Sequence, residues 1–265
     1  MARSESARRR TFDDAADLYD RVRPTYPPQL FDDLADLADL RSESRVLEIG
    51  CGTGQATIAL AERGYEIVAV ELGANMGALA RRHLARFPRV HVVVSAFEEW
   101  PLPVERFDAV VSATAFHWLD PAVRVIKSAD ALRPGGTLAT IHIHHITGGD
   151  QNFWVEVQRC YERWDPKTPP LLGLLSAADV APDAAELDQS GRFGPITFRR
   201  YEWNVSYSTV SYLDLLRTYS DHRALEPRAR DGLLVCIGDL IDSRYEGCVT
   251  KGYLAELWLA QCVEP

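Results

Sequence analysis

The sequence predicts an α/β fold in which helices cover both faces of a parallel β-sheet. Three observations support this prediction. Short apolar runs alternate with segments of helical periodicity through the first half of the chain, a pattern typical of right-handed βαβ units. A glycine-rich turn separates the first apolar run from the helix that follows it. The chain has 265 residues, 46% of them hydrophobic, which is enough for one such domain with a sizeable core.

The first half of the chain contains two leading helices and five strands with helices between them. The leading helices are predicted at 12–22 and 28–40, with prolines separating them. The strands are predicted at 45–49, 66–70, 90–94, 107–113 and 137–143. The intervening helices are predicted at 57–63, 75–86 and 121–132, with Asn75 as the N-cap of the second.

After Gly148 the regular alternation of strands and helices stops. Further helices are predicted at 153–164, 209–219 and 227–245, and strands at 196–206 and 253–262. We therefore expect one domain, 1–265, with cap elements at 12–28, 148–195 and 208–245. This cap is expected to cover the carboxyl edge of the sheet and to enclose a mainly apolar pocket for a small molecule.

Composition narrows the possible partners and the compartment. The formal net charge is −9, from 29 basic and 38 acidic residues, and a basic face for nucleic acid is not expected. No apolar run approaches the roughly 18 residues of a membrane span. The basic segment 1–10 reads as a solvated tail. Five scattered cysteines without a C-x-x-C pair argue against a disulfide framework and for a reducing cytoplasm, so a cytoplasmic location is predicted.

The glycine-rich turn is the most informative segment. In V-L-E-I-G-C-G-T-G, the glycines at 50, 52 and 54 follow a strand and precede a helix, so a ligand can approach the bare backbone. The dinucleotide fingerprint needs Gly or Ala at its sixth place, but that place holds Gln55 or Thr57, depending on the register. Glu71 ends the second predicted strand, where a carboxylate can accept hydrogen bonds from both hydroxyls of a ribose. These features favour a nucleoside ligand without a phosphate clamp, and S-adenosylmethionine fits that description.

Four motifs in register resemble the class I S-adenosylmethionine-dependent methyltransferases. They are V-L-E-I-G-C-G-T-G, V-A-V-E, F-D-A-V-V-S-A and L-R-P-G-G-T-L, which together span about 45–143. Y-D-R-V-R-P-T-Y-P and A-F-H-W-L-D-P further resemble the small-molecule branch of that family. The resemblance implies a Rossmann-like sheet of seven strands, five parallel ones and an antiparallel pair, with S-adenosylmethionine as the cofactor.

The same resemblance implies a set of cofactor-binding residues. They are Tyr19, Arg23, Glu48, Gly50, Gly52, Gly54, Glu71, Leu72, Met76, Ala96, Phe97 and Ala113. Within this set, the glycines and Glu48 would line the methionine end, and Arg23 would pair with its carboxylate. The sequence departs from the family pattern at Ala96, where many members have Asp, so Glu98 or Ser95 would have to replace that acceptor.

Methyl transfer is an in-line displacement from an activated donor, so positioning matters more than a general base. His117, just past the fourth strand, is the candidate base, and a packing or capping histidine is the alternative. Substrate contacts are predicted for Tyr26, Phe116, Trp118 and His145. His142 and His144 share one face of a strand with no convincing third ligand nearby, so no metal is predicted.

The predicted activity is methyl transfer to a small organic acceptor, at O, N or C, in a biosynthetic role such as specialised metabolism. Three alternatives remain open at this point. They are a nucleotide-dependent oxidoreductase, a non-catalytic protein that binds S-adenosylmethionine, and a methyltransferase that acts on a protein.

Overall fold

The computed structural model describes residues 11–165, 167–168, 173–181 and 185–263. Within these residues, seven strands form one sheet in the order β3-β2-β1-β4-β5-β7-β6. The strands are β1 (Arg45–Ile49), β2 (Glu66–Glu71), β3 (Val90–Val94), β4 (Phe107–Ala113), β5 (Leu132–Gly149), β6 (Thr197–Ser208) and β7 (Cys248–Gln261). Strands β1 to β5 pair in parallel, and β7 runs antiparallel between β5 and β6. The predicted fold class is confirmed.

Helices pack on both faces of this sheet and beyond its carboxyl edge. The described helices are α1 (Ala16–Val22), α2 (Pro28–Leu37), α3 (Gln55–Ala61), α4 (Ala74–Leu84), α5 (Pro121–Ala131), α6 (Gln151–Glu156), α7 (Gln158–Trp164), α8 (Ala185–Gln189), α9 (Thr209–Arg217), α10 (Ser220–Arg223) and α11 (Pro227–Arg244). Short 3-10 turns lie at Asp13–Ala15, Phe116–Trp118 and Ala177–Asp179.

The two sheet faces are buried by different helices. On one face, Val46 and Ile67 belong to a core cluster with Leu34 of α2 and Leu60 of α3. On the other face, successive residues of the same strands point the opposite way. There Leu47 and Val110 pack in a second cluster with α5, which contributes Val125 and Ala129. The buried strands read as near-continuous apolar runs, as expected for a sheet covered on both faces.

The α4 helix begins differently from the prediction. It starts at Ala74, and the side chain of Asn75 does not cap it. Instead, Oδ1 of Asp13 accepts hydrogen bonds from the backbone N–H groups of Asn75 (2.8 Å) and Met76 (2.9 Å). A carboxylate from the N-terminal segment therefore supplies the cap and complements the positive end of the helix dipole.

The two antiparallel neighbours β5 and β7 are both longer than predicted. β5 extends to Gly149 and β7 begins at Cys248, and the two pair from Thr137↔Gln261 to Gly149↔Lys251. The predicted helix over 153–164 is divided at Val157 into α6 and α7. Within the predicted cap element 148–195, residues 166, 169–172 and 182–184 lie outside the described residues.

A third apolar cluster holds the helices of the second half together. Phe153, Leu215 and Ile237, from α6, α9 and α11, are among its fully buried members. A disulfide joins Cys160 of α7 to Cys236 of α11. The cysteine pattern argued against a disulfide framework, and this one disulfide corrects that expectation. Packing of the two helices brings together cysteines that are 76 residues apart, and their spacing in the sequence gives no sign of it. The argument for a reducing cytoplasm loses its support. No described helix is both long and apolar enough to cross a membrane.

Candidate active site

A cavity of about 1270 Å³ lies at the carboxyl edge of the sheet. Its walls come from the turns after β1, β2 and β4, from the end of β5, and from described parts of 12–28, 148–195 and 208–245. We call the part beside the glycine turn the cofactor end and the part beneath α7, α9 and α10 the acceptor end. The topology explains this position, because the ends of parallel strands converge at one edge of the sheet.

The glycine turn presents bare backbone to the cofactor end. Gly50 has φ +71°, and a Cβ built there would lie 2.4 Å from the Cβ of Ala115, so no side chain fits. Gly52 has φ +58°, yet a Cβ built there meets no atom within 4 Å and would enter the open space of the cavity. Gly54 is the N-cap of α3 and does not line the cavity.

Glu71 connects the glycine turn to the loop after β2. Its Oε2 accepts from the backbone N–H of Gly52, and its Oε1 accepts from that of Gly73, both at 2.8 Å. Burial raises the pKa of the Glu71 carboxyl, and the two backbone hydrogen bonds act in the opposite direction. Because each carboxylate oxygen has two acceptor positions, both oxygens can still accept a ligand hydroxyl.

Glu48 lies buried in β1 and is not part of the cavity wall. Its side chain is 1% exposed, and Oε2 has no hydrogen-bond partner among the described residues. Burial raises the pKa of this carboxyl to about 7. The Glu48 side chain therefore does not line the cavity, and its place at the methionine end stays a prediction.

The N-terminal segment closes one side of the cavity. The guanidinium of Arg23 lies between the rings of Tyr19 and Tyr219, 4.7 Å from each centroid. Its Nε donates to Oγ1 of Thr218 (2.9 Å), and one Nη donates to the Thr218 carbonyl (3.0 Å). These contacts fix Arg23 to the end of α9 and leave it on the cavity wall.

Of the other predicted cofactor residues, Leu72, Met76, Phe97 and Ala113 line the cavity, and Ala96 does not. Ser95, one of the two candidate substitutes for the missing acceptor, also lies on the wall. The other, Glu98, instead accepts through Oε1 from the backbone N–H of Asp120 (3.1 Å).

The candidate base lies in the 3-10 turn after β4. The ring of His117 faces the cavity, where surrounding protein lowers its pKa to about 4, with His142 and Arg124 adding to the shift. Trp118 also lines the cavity and packs against Phe12, with ring centroids 5.6 Å apart. Phe116 is buried beneath the guanidinium of Arg124 and does not reach the cavity.

Tyr26 lies on the wall near the end of β4. Its hydroxyl is 3.2 Å from Oγ1 of Thr114, and burial raises its pKa. The residues of the 142–145 run all line the cavity. His142 is hydrogen-bonded to Thr140 (3.1 Å), and His144 is paired with the buried Glu256 (3.0 Å).

The acceptor end contains polar residues that sequence reasoning missed. The hydroxyl of Tyr161 is 3.0 Å from Nε2 of His222, and Tyr219 is 3.4 Å from Nε2 of His145. Burial lowers the pKa of His222 to about 4 and that of His145 well below its ordinary value. Lys251, 3% exposed, also lines this end. The pocket is thus richer in titratable groups than the predicted apolar one. The sequence did contain a sign of Lys251, because a lone lysine stands within the largely apolar stretch that forms β7.

Comparisons with known proteins identify the family. A family model described as a methyltransferase domain matches residues 46–136. The methyltransferase-like protein C25B8.10 of Schizosaccharomyces pombe is 31% identical over 209 residues, covering 78% of this chain and 76% of that protein. The chain belongs to the class I S-adenosylmethionine-dependent methyltransferases.

A second relative is more similar over a shorter span. Methyltransferase Rv3342 of Mycobacterium tuberculosis is 40% identical over 131 residues, 49% of this chain, so the match spans about half (51%) of that relative's length. The fold also matches the solved structure of Haemonchus contortus phosphoethanolamine N-methyltransferase 2 with S-adenosyl-L-methionine. The TM-score is 0.53 at 19% identity, with 95% of this chain and 57% of that chain covered, and at this identity the likeness shows the fold alone.

The cofactor of this methyltransferase is S-adenosylmethionine, and the residues of the cofactor end fit it. The open space at Gly52 admits a ligand against the backbone, and the Glu71 carboxylate in the wall suits a ribose. The cofactor carries no phosphate, so the departure from the dinucleotide fingerprint at Gln55 and Thr57 is explained.

Proposed function

We propose that this methyltransferase moves a methyl group from S-adenosylmethionine to a small organic acceptor held inside the cavity. The observation that carries the proposal is the continuity of the cavity. One space joins the glycine turn to the acceptor end, and described parts of all three predicted cap elements wall it. Within a single domain, such a cap would hold an acceptor in line with the donor and exclude water. The biosynthetic role and the cytoplasmic location stay predictions.

The chain's own residues would bind the cofactor as follows. Glu71 would accept from the ribose hydroxyls while it holds the glycine turn through Gly52. Leu72, Met76 and Phe97 would contact the adenine, and Arg23 and Tyr19 would close the methionine end. When bound, S-adenosylmethionine supplies a methyl group already activated by its sulfonium.

His117 would remove the proton that the acceptor loses on methylation. A pKa of about 4 keeps its imidazole neutral at physiological pH, so the ring is free to accept a proton, although the same low pKa makes it a weaker base than an ordinary histidine. A general base of this kind contributes about 10²–10⁴-fold, less than the contribution of alignment. The hydroxyls of Tyr26 and Thr114, at the same strand end, would orient the acceptor.

Two assays test the proposal. Calorimetry should detect binding of S-adenosylmethionine and S-adenosylhomocysteine and none of NAD. Turnover is then measured as release of S-adenosylhomocysteine with a panel of small acceptors and, separately, with proteins from the same cells. If the protein binds the cofactor and turns over only with proteins, the acceptor is a protein and not a small molecule. Cofactor binding with turnover on neither would favour the non-catalytic alternative.

A further inference from the structure

Lys251 is a buried cation that faces the cavity. It lies in β7 opposite Gly149 of β5, and its residue is 3% exposed. Its ammonium nitrogen is 5.5 Å from the ring centroid of Trp154, 5.3 Å from that of Tyr219 and 5.4 Å from that of Tyr253. Three aromatic rings therefore surround the ammonium on the protein side.

The ammonium group of Lys251 makes a single hydrogen bond to the described residues, to the hydroxyl of Tyr219 at 3.3 Å. An ammonium has three N–H donors, so two find no partner among these residues. No carboxylate of the described residues lies within ion-pair distance, although Asp165 and Asp221 also line the cavity. Contacts with aromatic faces attract a cation but do not replace the hydrogen bonds it loses on burial.

The same strand contains a contrasting case. Glu256, five residues further along β7, is 2% exposed and carries a charge of the opposite sign. Both of its oxygens are used, one by Arg200 at 2.9 Å and the other by His144 at 3.0 Å. The fold thus satisfies one buried charge of β7 completely and leaves the other facing the cavity.

A second cation, Arg23, and the hydroxyl of Tyr219 lie close to Lys251. Tyr219 contacts Lys251 and His145 through its hydroxyl and stacks under the guanidinium of Arg23 with its ring. After burial itself, Lys251 and Arg23 are the largest causes that lower the pKa of His145, whereas Asp221 and Asp165 act to raise the pKa of His222 at the same end of the cavity. An anion entering this end of the cavity would find two cations and a tyrosine hydroxyl already positioned.

We propose that the methyl acceptor is an organic acid whose carboxylate is bound by Lys251, with Tyr219 beside it. This inference rests on the proposed function, since it names the acceptor of the same site. β7 is two strands away from β4, which ordinary strand spacing makes a lateral offset of about 10 Å. Lys251 also lies further out along the strand direction, because it pairs with Gly149, whereas the end of β4 pairs with Ile141, eight residues earlier in β5. The carboxylate is therefore an anchor at one end of the acceptor, and the reacting atom lies toward His117.

The test uses pairs of probes that differ only in the charge of one group. Phenylacetate is compared with phenylacetamide, and hexanoate with hexanamide, by calorimetry on protein saturated with S-adenosylhomocysteine. We expect at least one acid to bind about tenfold to a hundredfold more tightly than its amide, the range of a charge-assisted hydrogen bond. Lys251→Met should abolish that preference, and Lys251→Arg should keep most of it.

Matched variants separate a direct contact from a general effect of charge. Arg228→Met removes one positive charge from an exposed position of the cap that does not line the cavity, and it should retain the preference. Lys251→Met should fold, because a neutral side chain of similar volume replaces an incompletely paired charge. Lys251→Gln provides a second uncharged variant, and thermal denaturation checks both.

Two results would overturn the inference. One is that no acid binds more tightly than its amide at millimolar concentration, including the case in which none binds. The other is a preference that survives in Lys251→Met. Failure of the wild-type protein to bind S-adenosylhomocysteine would count instead against the proposed function, and the probe comparison would then be made on the unliganded protein.

Discussion

Replacement of Glu48 by Gln should stabilise the protein at neutral pH and not at acid pH. The carboxyl is buried, one oxygen has no partner among the described residues, and its pKa is about 7 against an ordinary 4.5. Because the folded pKa is the higher one, the folded protein binds the proton more tightly than the unfolded chain does. The stability that the protonated group contributes is therefore present below about pH 4.5 and is lost as the pH rises to about 7.

The size of this effect follows from the two pKa values. Their difference is 2.5, from 7 minus 4.5, and about 1.4 kcal/mol for each factor of ten gives an upper value of about 3 kcal/mol. Gln keeps the shape and cannot ionise, so Glu48→Gln should gain this amount over the wild type as the pH rises from about 5 to about 8. For a chain of this length the gain corresponds to about 6–12 °C in Tm.

Urea denaturation of both proteins across this pH range measures the difference directly. Glu202→Gln, which makes the same change at an exposed position of β6, serves as the control and should show no such gain. The reasoning would be refuted if the difference in the free energy of unfolding between Glu48→Gln and the wild type stayed constant with pH. A Glu48→Gln protein that is less stable than the wild type at about pH 8 would refute it as well.

The remaining predictions concern the cofactor end and the candidate base. Glu71→Ala should weaken S-adenosylhomocysteine binding by about 1.5–3 kcal/mol, roughly tenfold to 150-fold in Kd, and unchanged affinity by calorimetry would contradict its role. Gly52→Val should abolish binding while the domain stays folded, because the branched valine side chain would fill the open space beside the turn. Gly52→Ala controls for the strain that any side chain causes at φ +58°. With an acceptor in hand, turnover that depends on His117 should stay flat from about pH 8 down to about pH 5, since its pKa of about 4 keeps it in the base form. A tenfold fall for each pH unit below 6.5 would show that an ordinary histidine is responsible.

Local sequence signals were sufficient for the centre of the fold. β1, β3 and β4 have the predicted bounds, because short runs rich in apolar and β-branched residues end at turns. The family and the cofactor followed from motifs in register and are confirmed. The assignment of individual site residues stays a prediction, although most of those residues line one cavity.

What the sequence could not supply are pairings between distant residues. The cap of α4 comes from Asp13, 62 residues before Asn75, and the disulfide joins cysteines 76 residues apart. Lys251 was overlooked for a related reason. A lysine in an apolar strand is unusual, but whether a carboxylate pairs with it depends on which strand and helix lie beside it.

The carboxylate of Glu71 belongs to two loops at once, since it holds the backbone N–H of Gly52 on one side and that of Gly73 on the other. Substitutions in either loop therefore disturb a shared partner, and their effects on affinity will not be additive. A double-mutant cycle across the two loops would report an interaction energy even for residues that never touch. Variation in this region has to be interpreted in combinations, because the tolerance of one loop is set by the residue present in the other.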